Sequence, residues 1–368
     1  MIVNSLRLKN FRNYKSLSLS FCDGVNCVYG ANAQGKTNLL ESLFLLISGR
    51  SFRTSQLKDL IGENEQYFSV EIDFVKYGVE QTLRYVADGK QRRLWHNSTN
   101  LSSLSALVGI LQGALLAPLD LQLIKGTPQH RRHFLDLQLS QSDPLYLHHL
   151  TRYFRALRQR NHLLKQKYVM GIEVWEEQMA VAAAYLFAQR ATALELLGKE
   201  AERINCCLSA SKDSLELRYK TVVDPQLSEE KLSCVYLEQL QRTRQKDLTF
   251  GSSSIGPHRD DVQVFIQGRD ARYFASEGQQ HCVVAALRLA EWYLLSGRSE
   301  ELPLMIVDDV GISLDNTRKK ALLAELGKLG QVFISLPRLD QHLFDTTESC
   351  FFAVESGEIV QEEIYTNC

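Results

Sequence analysis

The rhythm of apolar and polar positions changes twice along the chain. In the first hundred residues apolar positions alternate with polar ones or form short runs. Val25–Tyr29 reads as a compact strand, Tyr67–Tyr77 alternates with period two, and Gln81–Val86 and Arg92–His96 continue a strand-rich region. Asp88-Gly89 is the expected hairpin turn between the last two. From Leu147 the spacing switches to threes and fours: Leu147, Leu150, Phe154, Leu157, Asn161, Leu164, a heptad seam with one polar interruption. Gly171 breaks it, and a second seam runs through Trp175, Met179, Ala182, Leu186, Gln189, Ala193 and Leu196. Two such seams around one turn predict an antiparallel helical hairpin within a helical subdomain. A further helix is expected after Ser228 as N-cap, toward Lys246. Near residue 250 strands and helices alternate again: strands at Val262–Ile266, Leu304–Val307 and Val332–Ser335, helices at Gly278–Leu295 and Thr317–Leu326. The pattern predicts an α/β domain over residues 1–118 and 249–368, interrupted by a helical insertion over 119–248.

Composition narrows this only slightly. With 368 residues, 45% hydrophobic and 23% charged, the chain is an ordinary globular one. Forty-two basic against 43 acidic residues leave a net charge of −1, so any nucleic-acid contact must come from a local basic patch. No run of 18 apolar residues occurs, and the N-terminal MIVNSLRLKNFRNY alternates too early for a signal segment. No membrane span and a cytoplasmic location are therefore expected. The eight cysteines form no CxxC pair and no zinc spacing, which predicts reduced thiols.

The strongest local signal is Gly30-Ala31-Asn32-Ala33-Gln34-Gly35-Lys36-Thr37, a match to G-x-x-x-x-G-K-[ST] between a strand and the helical pattern Asn38–Leu46. Such a turn aims backbone N–H groups at phosphate from a helix N-terminus. Lys36 is expected to reach the β/γ-phosphates and the Thr37 hydroxyl to bind Mg²⁺. That site needs a carboxylate, and Pro303–Val307 ends in Asp308-Asp309, at the strand edge where α/β sheets place ligands. Asp308 is expected to hold Mg²⁺ through water, and Asp309 to act as general base toward the attacking water. A third element, Ser276-Glu277-Gly278-Gln279 at a helix start, is either a plain cap or an anion site.

The order of phosphate loop, helix-start serine, paired acids and Ile312-Ser313-Leu314-Asp315 is similar to ABC-type ATPases, the last run standing at the D-loop position. Within them, further blocks resemble the RecF family of bacterial recombination mediators. These are Leu8–Tyr14, Thr37–Glu41, Gly49–Thr54, Pro118–Leu121, Gly126–Pro128, Arg131–Asp136, Gln159–Lys165 and Gly256–Asp261. The resemblance spans essentially the whole chain. Ala33 stands where that family usually has glycine, and Asp309 where ABC ATPases commonly have the longer glutamate, which predicts slow turnover. The resemblance implies an ABC-type ATPase head with an inserted helical arm. It implies a homodimer that clasps two ATP molecules, the loop residues Gly30, Asn32, Gly35, Lys36, Thr37 and Asn38 of one subunit facing Ser276, Gly278 and Gln279 of the other. It further implies clamping of duplex DNA near single-strand/double-strand junctions at gaps, loading of recombinase with RecR and RecO, and release by hydrolysis. The alternatives are a structural head of the SMC type, which needs a far longer coiled coil, or a transport ATPase, which needs membrane partners.

Between Asp120 and Met170 nine basic residues face three acids, +6 locally. Arg131, Arg132, Arg152, Arg155 and Arg158 are the candidate DNA contacts, tracking phosphate without reading sequence. The alternative is a solvated helix face whose arginines pair with Glu173, Glu176 and Glu177. His258 and Arg259 are expected either in a nucleotide-pocket or lobe-docking role or in a purely structural one.

Overall fold

The structure is a computed structural model and describes residues 1–209, 213–223, 227–309, 315–339 and 348–365. Its contacts divide the chain into two units: Met1–Asp120, Arg203–Lys212 and Ser276–Cys368 form the first, Leu121–Glu202 and Asp213–Ala275 the second.

The first unit is built on two sheets. One is a six-stranded antiparallel sheet in the order Tyr14–Ser20, Ile2–Phe11, Phe68–Lys76, Val79–Ala87, Arg92–His96, Thr99–Leu101. Its strands alternate as half-buried strands must: Val3, Leu6 and Leu8 are buried while Asn4 and Lys9 are exposed. The other sheet runs Glu358–Tyr365, Ser349–Glu355, Val25–Tyr29, Val332–Leu336, Leu304–Val307, Gly113–Leu116, and only its first pairing is antiparallel. All residues of Leu304–Val307 and Val332–Leu336 are buried, the near-continuous apolar signature of a parallel sheet covered on both faces. Helix Lys36–Ser48 follows strand Val25–Tyr29, and helix Glu277–Ser296 packs on strand Gly113–Leu116. The Asp308 amide donates to Leu116 O at 2.8 Å, carrying the ladder one residue past the strand end.

The second unit consists of helices Pro128–Ser142, Pro144–Lys165, most of Ile172–Leu208, and Glu229–Phe250, with a small antiparallel sheet ordered Arg269–Asp270, Asp261–Ile266, Leu215–Lys220. Its core gathers Tyr146, Tyr153, Leu157, Met179, Leu186, Phe187, Tyr236 and Leu240. The helical hairpin turns at Gly171, where φ is +75°. The buried stripe of its first helix differs from the expected seam. Tyr146, Tyr153, Ala156, Leu157, Arg160 and Leu164 are buried, whereas Phe154 is 40% exposed. Leu157 and Leu164 stay in the stripe, while Tyr146, Tyr153 and Arg160 replace Leu147, Phe154 and Asn161; the burial of Arg160 is compensated by acids from other elements, which helical spacing cannot report.

The expected insertion ends at residue 248, but these contacts carry the second unit through Ala275. Strand Asp261–Ile266 pairs with Leu215–Lys220, not with either sheet of the first unit. Residues 310–314, and with them Ile312, Ser313 and Leu314 of the expected D-loop, lie outside the described residues. Among the described residues no helix is long and apolar enough to cross a membrane, and none of the seven described cysteines forms a disulfide.

Candidate nucleotide site and basic helical face

The phosphate loop has the backbone its glycines permit. Gly30 and Gly35 hold φ of 148° and 128°. A Cβ on Gly30 would lie 2.5 Å from the backbone oxygen of Val354, and one on Gly35 would be strained by its φ and displace the Asn13 side chain, whose Nδ2 lies 2.8 Å away. Helix Lys36–Ser48 starts directly after Gly35 with no side-chain cap, which leaves its N-terminal amides suited to an anion. The loop is braced from outside. Tyr14 OH donates to Gly35 O at 3.1 Å, Asn13 Nδ2 donates to Gln34 O at 2.8 Å, and the Ser356 amide donates to Gln34 Oε1 at 2.6 Å. Lys36 Nζ donates to Gly30 O and Ala31 O, both at 2.7 Å. Burial lowers the pKa of this ammonium, and Asp309 and Asp308 work in the opposite direction. Asn38 donates to Asn13 Oδ1 and accepts from Arg53 Nη1, each at 2.7 Å. Asn32 is exposed, and Ala33 adopts φ 66°, the left-handed region that glycine tolerates best.

The two acids meet this loop at the end of strand Leu304–Val307. Thr37 Oγ1 donates to Asp308 Oδ1 at 3.0 Å, and Ser335 Oγ donates to the same oxygen at 2.9 Å. Ser335 Oγ in turn accepts the Asp309 amide at 2.7 Å. Burial raises the Asp308 pKa, and the hydrogen bonds from Ser335 and Thr37 oppose that rise. Asp309 holds a left-handed φ of 59°, a strained conformation for a non-glycine residue, and its Oδ1 is buried without a hydrogen-bond partner among the described residues. An orphaned carboxylate oxygen beside a hydroxyl and a second carboxylate suits a hard cation and its water. Among the described residues no three His, Cys, Asp or Glu side chains cluster as a metal cage. The donor set thus fits Mg²⁺ drawing its remaining ligands from phosphate and water.

Ser276 is the exposed N-cap of helix Glu277–Ser296 and closes a capping box with Gln279. Gln279 N donates to Ser276 Oγ at 3.3 Å, and Ser276 N donates to Gln279 Oε1 at 2.9 Å. A Cβ on Gly278 would lie 2.5 Å from Arg318 Nη1. Farther along this helix Arg288 is buried between the carboxylates of Asp120 and Glu291. The expected chemistry did not include Ser335, Asn13, Tyr14 or Arg288. Asn13 and Tyr14 close the block Leu8–Tyr14, whose match assigned them no role; a lone serine in a strand carries no motif, and the signal that could have found Ser335 is its polarity within the buried run Val332–Leu336.

In the helical unit the expected DNA contacts separate. Contrary to expectation, Arg131 is buried and spends its guanidinium on Asp261 at 2.8 and 2.9 Å and on Leu123 O and Gly126 O, which leaves it no exposed face for phosphate. Arg132 is half-buried and donates to Asp260 O at 2.6 Å. Arg152, Arg155 and Arg158 are exposed on helix Pro144–Lys165. They do not pair with the acids of the second helix. Glu176 accepts from Arg160 and Arg244, and Glu173 from Arg244. His258 is enclosed in this unit. Its Nδ1 lies 2.6 Å from Tyr153 OH and its Nε2 3.1 Å from Ser253 O, and burial pushes its pKa down to about 4. Arg259 donates to the same Ser253 carbonyl at 2.9 Å.

The family model of the RecF/RecN/SMC N-terminal domain matches residues 2–351. The DNA replication and repair protein RecF of Protochlamydia amoebophila is 45% identical over 346 residues, 93% of this chain and 96% of that protein. RecF of Geobacillus kaustophilus is 35% identical over 98% of this chain and 99% of its own. The solved structure of the recombination mediator protein RecF with ATP, in the RecFOR pathway, aligns with a TM-score of 0.89 at 30% identity, covering 99% of this chain and 98% of that one. An Smc head domain from Pyrococcus furiosus aligns at 0.59 with 17% identity, a likeness of fold. The chain therefore belongs to the RecF family of DNA replication and repair proteins, within the SMC/ABC-type ATPases.

Proposed function

We propose that this chain is an ATP-dependent DNA clamp of recombinational repair and replication restart. It binds duplex DNA near single-strand/double-strand junctions at gaps and helps load recombinase together with RecR and RecO, in the cytoplasm. The observation that carries this reading is the convergence of Thr37, Asp308 and Ser335 at the open end of the parallel sheet, beside an uncapped helix N-terminus. Lys36, Gly30, Asn32, Gly35 and Asn38 cradle the triphosphate, and Thr37 and Asp308 hold Mg²⁺. The metal, when bound, neutralises charge on the phosphate oxygens. Asp309 takes a proton from the attacking water. Its short side chain and strained backbone make this a slow, timed hydrolysis that DNA accelerates. Ser276, Gly278 and Gln279 of a second copy complete the site, so ATP binding shifts the monomer–dimer equilibrium by mass action. Arg152, Arg155 and Arg158 track the duplex backbone.

Sizing the full chain with and without ATP and gapped DNA tests this. Dimers form only with ATP, Lys36→Met stays monomeric, and Asp309→Asn forms a dimer that does not dissociate. Replacing Arg152, Arg155 and Arg158 by alanine flattens the salt dependence of DNA affinity, by roughly one unit of slope for each phosphate these side chains neutralise. ATP binding to a monomer that never dimerises would defeat the proposal.

A further inference from the structure

The turn that joins the two long helices of the helical unit carries an apolar tip in basic surroundings. After helix Pro144–Lys165 the chain reverses through Lys167 and Gly171, with φ of 55° and 75°. Tyr168, Val169 and Met170, at the apex, are 49%, 43% and 74% exposed. Tyr168 OH donates to Met170 Sδ at 3.3 Å, which holds ring and thioether side by side. Turns of this kind ordinarily carry polar residues, so three consecutive exposed apolar side chains mark a contact surface.

Charge says what kind of contact. From Pro144 to Ile172 the chain has no acid, and its basic residues are Arg152, Arg155, Arg158, Arg160, Lys165 and Lys167. Of these, Arg160 is neutralised by buried acids, and the other five are exposed. Glu173, the first acid beyond the turn, accepts from Arg244. The exposed cations from Arg152 to Lys165 extend along one helix for about 20 Å at 1.5 Å per residue, which suits a linear polyanion. A lipid surface would favour cations on both sides of the apex, whereas here exposed Lys165 and Lys167 precede it and the second helix follows it with exposed Glu177.

Cations and ring serve different parts of such a ligand. Arginines and lysines track phosphate on any duplex. An exposed ring and thioether gain only from bases whose faces are open, and those exist where pairing stops. We infer that Tyr168 and Met170 form a stacking site for unpaired bases at the edge of a duplex, and that this tip distinguishes gapped from continuous DNA. The inference rests on the clamp reading of the neighbouring arginines.

The test uses the full chain with ATP, and compares gapped DNA, continuous duplex of equal length, and phosphatidylglycerol vesicles. Tyr168→Ala combined with Met170→Ala lowers affinity for gapped DNA by roughly tenfold, the order expected for the loss of one stack. It leaves duplex affinity and the salt slope unchanged, while Tyr168→Phe retains gap preference. A 2-aminopurine at the first unpaired position loses its fluorescence change in the double variant. Equal effects of the double variant on both DNAs, or none on either, overturn the inference while the clamp stands. Vesicle binding that the same substitutions abolish overturns it in favour of a lipid. If alanine at Arg152, Arg155 and Arg158 leaves both DNA affinities intact, the clamp reading itself has failed.

Discussion

Ser335 holds Asp308 through a 2.9 Å hydrogen bond from its hydroxyl to Oδ1, and the same hydroxyl accepts the amide of Asp309. One side chain on strand Val332–Leu336 thus fixes both acids at the end of the neighbouring strand Leu304–Val307. Thr37 is the second donor to the same carboxylate oxygen, so a phosphate-loop hydroxyl and a strand hydroxyl converge on one buried charge.

Ser335→Ala removes a donor from that charge and leaves the Asp309 amide unpaired. A loss of about 1–3 kcal/mol in urea unfolding is expected. The sign with pH follows from burial, which already raises the Asp308 carboxyl. A raised acid stabilises the fold below its unfolded value, and that contribution is lost as pH rises through the folded value. Losing Ser335 raises Asp308 further, so the deficit is larger at pH 7 than at pH 4. An equal deficit at both would show that the hydrogen bond does not select the carboxylate form.

Ala33 holds φ 66° inside the phosphate loop. A Cβ in the left-handed region costs about 1–2 kcal/mol, part of which glycine returns to unfolded-chain entropy. Ala33→Gly is expected to stabilise the chain by up to about 1 kcal/mol and to tighten ATP binding. Paired urea unfolding and ATP titration check it; a destabilised variant would mean that the methyl group packs favourably.

The phosphate loop, the paired acids and the strands around them are legible in the sequence because each depends on local order: a glycine spacing, an apolar run, a charge at its end. Val25–Tyr29, Arg92–His96 and Leu304–Val307 are observed over the residues that periodicity predicts. The rest depends on distant partners. Arg131 reads as a surface cation until Asp261, 130 residues away, is placed against it. Arg160 sits in a buried stripe that spacing assigns to Asn161. Helix Pro128–Ser142 carries few apolar residues in a regular stripe, because Gln138, Ser140 and Gln141 are buried there beside Leu135 and Leu139.

Arg288 serves two buried carboxylates, Asp120 and Glu291, with one guanidinium. Burial pushes the Glu291 carboxyl up to about 7, and Arg288 opposes that rise. A raised acid contributes stability that is full below its unfolded pKa, near 4.5, and is lost as pH climbs through about 7. Glu291→Gln cannot ionise. Its stability relative to the parent should rise between pH 5 and pH 8, by up to roughly 3 kcal/mol. Thermal midpoints of both proteins across that window measure it. A difference that does not change with pH would place Glu291 in its charged form throughout.

Arg160 is fully buried at the centre of the helical unit. It donates to Glu176 at 3.0 Å, to Asp247 and Ser253 Oγ at 2.7 Å, and to Leu240 O at 3.1 Å. These partners come from helix Ile172–Leu208, helix Glu229–Phe250 and the segment after it, so one side chain ties three elements to the helix that displays Arg152, Arg155 and Arg158. Glu176 has a second cation in Arg244, but Asp247 then depends on the Ser254 amide at 3.1 Å and Thr243 Oγ1 at 3.3 Å. Arg160→Met keeps the length and removes the charge, and an uncompensated buried carboxylate costs about 3–5 kcal/mol. Asp247→Asn added to Arg160→Met removes the charge that was stranded. The double variant should therefore be more stable in urea than the sum of the two single losses predicts, by about 1 kcal/mol or more for groups in direct contact. Simple additivity would mean that Asp247 is satisfied without Arg160. A large single loss with strong coupling would establish that the exposed arginine face is held in place by a buried arginine on the same helix.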